Sequence, residues 1–190
     1  MVEQTADVET RAVLLAQGGD LGWVCGLLAA HRDAILAHWL DAATAQPFHA
    51  GHREHAVTDH IPQLYDALLA YLQRGAPPQQ DPGAPLDDAA VLAAAQQHAR
   101  SRLDQGLQPV DVVTEFRLLR QELLGTLRQH LPDSVPTGDI IAAELLLNDA
   151  LDGAVSVALR ALTDLIEEVR EDFLATTVHD VRQPLSLIKG

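Results

Sequence analysis

The stretch with the most chemical potential is Phe173 to Gly190, FLATTVHDVRQPLSLIKG. Its centre is His179, followed by Asp180, Arg182, Gln183 and Pro184. An imidazole is a nucleophile only when it is unprotonated, exposed and correctly oriented. A carboxylate at the next position can hydrogen-bond the other ring nitrogen, fixing the tautomer and stabilising the cation that forms. Pro184 lacks the N–H that would reach the Asp180 carbonyl, which predicts a helix bent beside the nucleophile. The bland reading of His179 is an ordinary solvent-facing helix residue.

Other groups invite chemistry less strongly. His49, His52, His55 and His60 fall within twelve residues in FHAGHREHAVTDH, and three-residue spacing brings two of them to one helix face. No cysteine joins them, and Pro47 and Gly51 point to a loop, so the expectation is solvated histidines rather than a metal site. His98 or His60 on a helix is a conceivable haem ligand. Arg100, Arg102, Arg117 and Arg120 alternate with Glu115 and Glu122, either an anion pocket or surface and interhelical ion pairs. The ion-pair reading is preferred. Trp23, Trp39, Phe116 and Tyr65 are expected in the core.

The elements that must position these groups are helices. Apolar residues recur at helical spacing almost everywhere, and strand-like alternation is nearly absent. The pattern predicts a helix near Val8–Gln17 stopped at Gly18-Gly19, then a long helix capped by Asp20 and running to Thr44. A further helix from Thr58 or Asp59 carries Ile61, Leu64, Tyr65, Leu68, Leu69 and Leu72 as one stripe. GAPPQQDPGAP (Gly75–Pro85) is a loop, followed by helices over Leu86–Gln105 and Pro109–Leu131. From Asp139 no convincing stop occurs before Pro184. Val155, Leu159, Leu162, Ile166, Val169 and Phe173 alternate steps of four and three, a heptad seam that a second helix would cover. Thr177, Val181, Pro184 and Ile188 then break the register, a stutter that locally unwinds a coiled coil. Residues 139–160 are expected to pack on their own domain, and 162–190 to pair in a parallel homodimer.

Bulk properties set outer limits. A chain of 190 residues holds one domain plus an appendage. Hydrophobic content of 47% supports a true core. A formal charge of −14 argues against nucleic acid and against an anionic membrane surface as partners. Cys25 is the sole cysteine, which leaves no intrachain disulfide and no thiolate metal site. The first ten residues are acidic and unlike a signal peptide, and no apolar run reaches membrane-spanning length, so a cytoplasmic location is expected.

Two resemblances refine this reading. FLATTVHDVRQPLSLIKG resembles the HisKA-type phosphoacceptor box of bacterial sensor histidine kinases, with Phe173, Ala175, His179, Asp180, Arg182, Pro184, Leu185 and Ile188 in place. The resemblance implies that His179 is phosphorylated, that Asp180 assists as general base, and that a response regulator receiver domain takes the phosphoryl group. At the place where such kinases commonly have Thr or Asn to position a dephosphorylating water stands Gln183. No nucleotide lid follows, so ATP and Mg belong to a kinase domain outside this sequence, and the chain reads as an input half inactive alone.

The middle of the chain is similar to the globin-like N-terminal domains of the RsbR type. The matching stretches are ILAHWLDA (Ile35–Ala42), DHIPQLYDAL (Asp59–Leu68), HARSRLDQG (His98–Gly106), VTEFRLLRQELL (Val113–Leu124) and LNDALDGAVSVAL (Leu147–Leu159). That resemblance implies an all-α, dimeric domain that dispenses with haem and passes an undefined small-molecule or protein signal to a carboxy-terminal output module. The expected organisation is an amino-terminal extension over 1–19, a sensor over 20–160, and over 161–190 a signalling helix entering a dimerisation and histidine-phosphotransfer domain. Two rivals are a stressosome-like scaffold and a haem or gas-binding globin.

Overall fold

A computed structural model describes residues 21–51, 53–58, 60–74 and 87–187; for 55, 172 and 175–187 it describes the backbone alone. The predicted helix at Val8–Gln17 and the loop at Gly75–Pro85 lie outside the described residues. Among those described, the chain is all-α and globin-like: α1 (Gly22–Ala30), α2 (Arg32–Thr44), a 3-10 turn (Pro47–His49), α3 (Glu54–Thr58), α4 (Ile61–Arg74), α5 (Ala89–Asp104), α6 (Pro109–Gln129) and α7 (Thr137–Leu187).

The local rules explain most boundaries. Asp88 Oδ1 accepts from the backbone N–H groups of Ala90 and Val91, both at 3.1 Å, a side-chain cap for α5. Arg74 also donates to Asp88, tying the end of α4 to the start of α5. Asp111 reaches back to the Gln108 N–H at 2.8 Å, and Pro109 fills the first turn where no donor is needed. Gly106 closes α5 at φ +79°, a left-handed conformation that lets the Leu107 N–H return to the Arg102 carbonyl at 2.9 Å.

One expectation needs correcting. The long helix from Asp20 to Thr44 is two helices, broken where His31 leaves helical geometry at φ −103°, ψ 9°. Leu21, not Asp20, precedes the first of them. The segment AQPFHAGHRE, expected as a loop or a turn, holds the 3-10 turn, and α3 begins at its last residue, Glu54.

The core lies between α1, α2, α4, α5, α6 and the first half of α7. Trp39, Tyr65, Phe116, Leu119, Leu147 and Leu151 are among its fully or almost fully buried side chains; Trp23, expected there, is half-buried at the edge. The Tyr65 hydroxyl donates to the Leu28 carbonyl at 2.7 Å, so its polar end is satisfied inside. Alanines at 94, 95, 99, 143, 150, 154 and 158 let α5 and α7 approach closely, which compensates for the scarcity of large aromatics. None of the helices among the described residues is long and apolar enough to cross a membrane.

Candidate functional site

Two regions carry functional potential: the far end of α7 and a buried polar centre in the body. α7 comprises 51 residues, about 77 Å at the helical rise. Its first half buries Ala143, Leu147, Ala150, Ala154 and Ala158 against its own domain, with Leu162 the last fully enclosed position among the described side chains. Ile166, Val169 and Phe173 follow on the predicted seam and are 40%, 64% and 69% exposed. Among the described side chains of α7, those enclosed by the body end at Leu162, and Ile166, Val169 and Phe173 are exposed. The bend expected from Pro184 does not end the helix, which continues to Leu187.

His179, Asp180 and Gln183 fall within the helical backbone of α7, and their side chains lie outside the described residues. A four-residue separation puts His179 and Gln183 on the same helix face. At roughly 100° per residue that face is about a third of a turn from Phe173, so the histidine is offset from the seam.

The second region is centred on Glu115, and periodicity alone does not disclose it. Glu115 shares the inner face of α6 with Val112, Phe116 and Leu119, and it is wholly buried. His49 Nε2 lies 2.8 Å from its Oε1, and His98 Nε2 lies 3.1 Å from its Oε2. Arg102 Nε donates to both oxygens at 2.9 Å. The two terminal nitrogens of Arg102 donate to the carbonyls of Ala56 and Val57, and one also to Gln105 Oε1 at 3.2 Å. Trp39 Nε1 donates to the Glu115 backbone carbonyl at 3.1 Å, joining α2 to the same centre.

Burial alone would raise the Glu115 carboxyl. Hydrogen bonds from His49 and His98 and the positive charge of Arg102 overcome that penalty and hold it well below the usual carboxylate range. The carboxylate therefore accepts every contact, and both imidazoles direct an N–H from Nε2 toward it. One anion and one permanent cation meet in a water-excluded space with hydrogen bonds on each, the condition under which a buried pair is tolerated.

The expectation of solvated histidines fails at His49, which is 3% exposed, because the 3-10 turn folds it onto Glu115. His52 and the side chain of His55 lie outside the described residues. The interhelical ion-pair reading holds for Arg102 with Glu115 and for Arg120 with Asp152, although the first pair is buried rather than at the surface. His98 does not fit the haem reading. Its Nε2 faces a carboxylate, and its ring meets Phe116 edge-on at 5.6 Å. Among the described residues no group of three or more His, Cys, Asp or Glu is placed to hold a metal ion.

A signal for the centre did exist. His98 and Arg102 are one turn apart on a face otherwise made of Val91, Ala94, Ala95 and Ala99, so their burial followed from their position. What joins them to His49, across about fifty residues, has no sequence signature.

Compared with known proteins, the chain matches the family described as the RsbT co-antagonist protein RsbRD N-terminal domain, over residues 33–176. No curated protein and no solved structure matches it. The matched span takes in α2, the Glu115 centre, α4, α5, α6 and α7 past Phe173, well over half of the chain, and the chain therefore belongs to the RsbRD N-terminal domain family.

Proposed function

We propose that this chain is the sensory and dimerisation region of a cytoplasmic two-component sensor histidine kinase. A small-molecule or protein signal is received by the globin-like body and relayed along α7 to His179. One observation supports this above others: α7 runs unbroken from the packed body to the segment carrying His179, Asp180 and Gln183, with its apolar seam exposed beyond Leu162. An exposed row of Ile166 and Val169 costs free energy that a second helix in parallel would recover. Pairing of two such rods makes a rigid element through which movement of the body reaches the histidine.

In this reading His179 attacks the terminal phosphorus of ATP, the bond to the bridging oxygen breaks to release ADP, and Asp180 orients the imidazole and accepts its proton. ATP and Mg are held by a separate kinase domain. The phosphoryl group passes from His179 to the receiver domain of a response regulator, and Gln183 is the candidate for orienting the water that hydrolyses it there. The test is labelling from ATP in a protein that joins these residues to a kinase domain. Acid-labile label on wild type that disappears in His179→Ala is expected; label retained in the variant refutes the assignment.

The family match favours a second reading, a stressosome-like scaffold module related to the co-antagonists of RsbT. That reading predicts large assemblies in sedimentation and no label at His179.

A further inference from the structure

We propose that the 3-10 turn Pro47–His49 and α3 (Glu54–Thr58) form a strap that opens as a unit while the helical body stays folded, and that the Arg102–Glu115 pair is its catch. The inference stands whether or not His179 is phosphorylated.

The strap is attached differently from the rest of the body. Long helices such as α1, α4, α5 and α6 each place three or more apolar side chains in the core. Of the strap, Val57 is the single apolar side chain in the core among the described residues. The other attachments are polar. Arg102 holds the carbonyls of Ala56 and Val57, Gln105 Nε2 donates to the Ala56 carbonyl at 3.1 Å, and His49 meets Glu115 at 2.8 Å. A segment held by hydrogen bonds rather than buried hydrocarbon exposes little apolar surface when it leaves, so it opens more readily than a packed helix.

Opening also strands no charge. Arg102 and Glu115 belong to α5 and α6, and Arg102 Nε keeps both carboxylate oxygens whether or not the strap is present. His98 stays with them. What passes to water is two peptide carbonyls, one imidazole and the terminal nitrogens of Arg102, all of which water solvates well. The closed state is favoured because one guanidinium bonds the carboxylate and the strap together. The open state is tolerated because the carboxylate half of that arrangement survives. These are the requirements for a two-state element inside a sensor.

Hydrogen exchange on the whole chain, read by mass spectrometry, tests this. The Ala56 and Val57 amides, which bond to the Arg53 carbonyl, are expected to exchange on the order of 100-fold faster than amides of α6, with no dependence on low concentrations of denaturant. His49→Gln is expected to speed strap exchange by roughly tenfold while α6 is unchanged. Gln105→Ala, outside the charge pair, gives the same reading should His49→Gln fold poorly. Strap amides that exchange only together with those of α6 and α7, or variants that speed both regions equally, overturn the proposal.

Discussion

The body and the rod invert the usual distribution of charge and hydrocarbon. Around Glu115 a carboxylate, a guanidinium and two imidazoles are sealed inside the protein. Along the outer part of α7, Ile166, Val169 and Phe173 face solvent. Each inversion carries a different message. The buried charges are answered within one chain, since every carboxylate contact comes from α5 or the strap, so the centre needs nothing further to be stable. The seam at Ile166 and Val169 lies exposed beyond Leu162, the last core position among the described side chains. Satisfied polarity marks an element complete in itself. Exposed periodic hydrocarbon marks one shaped for a second surface.

The comparison can be broken most forcefully at its buried end. Glu115→Ala leaves Arg102 in a water-free site with no anion, and a loss of about 3–5 kcal/mol is expected. Urea unfolding followed by circular dichroism reads it directly. A loss below about 1 kcal/mol would mean that water reaches the centre and that it is not sealed.

The boundary between the two regions is sharpened by substitutions at Leu162 and at the seam positions four and seven residues beyond it. Leu162→Ala creates a cavity at a fully buried position and should cost about 2–5 kcal/mol of stability. Ile166→Glu and Val169→Glu should leave the unfolding of the body nearly unchanged and, in the proposed dimer, convert the sedimenting species to a monomer. Equal effects of Leu162→Ala and Val169→Glu on unfolding would show that the rod packs on its own body.

The smallest expected effect concerns acid. Glu115 has its carboxyl lowered by folding, so its contribution is fully present above the ordinary glutamate value of about 4.3 and is lost as pH falls below it toward the native value. Stability measured between pH 5 and pH 3 should fall more steeply for wild type than for Glu115→Gln. Parallel slopes would show that the carboxylate is not held in its ionised form by the fold.

How much of this was legible beforehand follows from the range of each interaction. Helix positions were readable wherever the signal was local: the stripe of α4, the proline start of α6, the glycine stop after Gln105. The break at His31, inside what the spacing reads as one helix, arises where the chain turns to keep its apolar faces on a shared core. Periodicity within one segment does not report that. For the candidate site, the seam of α7 was legible because a heptad is a property of one helix, whereas the role of His49 was not.

Composition and periodicity by themselves determined an all-α chain whose last helix carries a heptad seam from Val155 to Phe173, since helical propensity and the spacing of apolar side chains are written along the chain. Tertiary structure alone decided that Glu115 is buried, that His49 and His98 both meet it, and that Arg102 joins it to the carbonyls of Ala56 and Val57. The physical reason is that a charge can be enclosed only where partners from distant segments converge on it, and that convergence is set by how the helices pack rather than by any one of them.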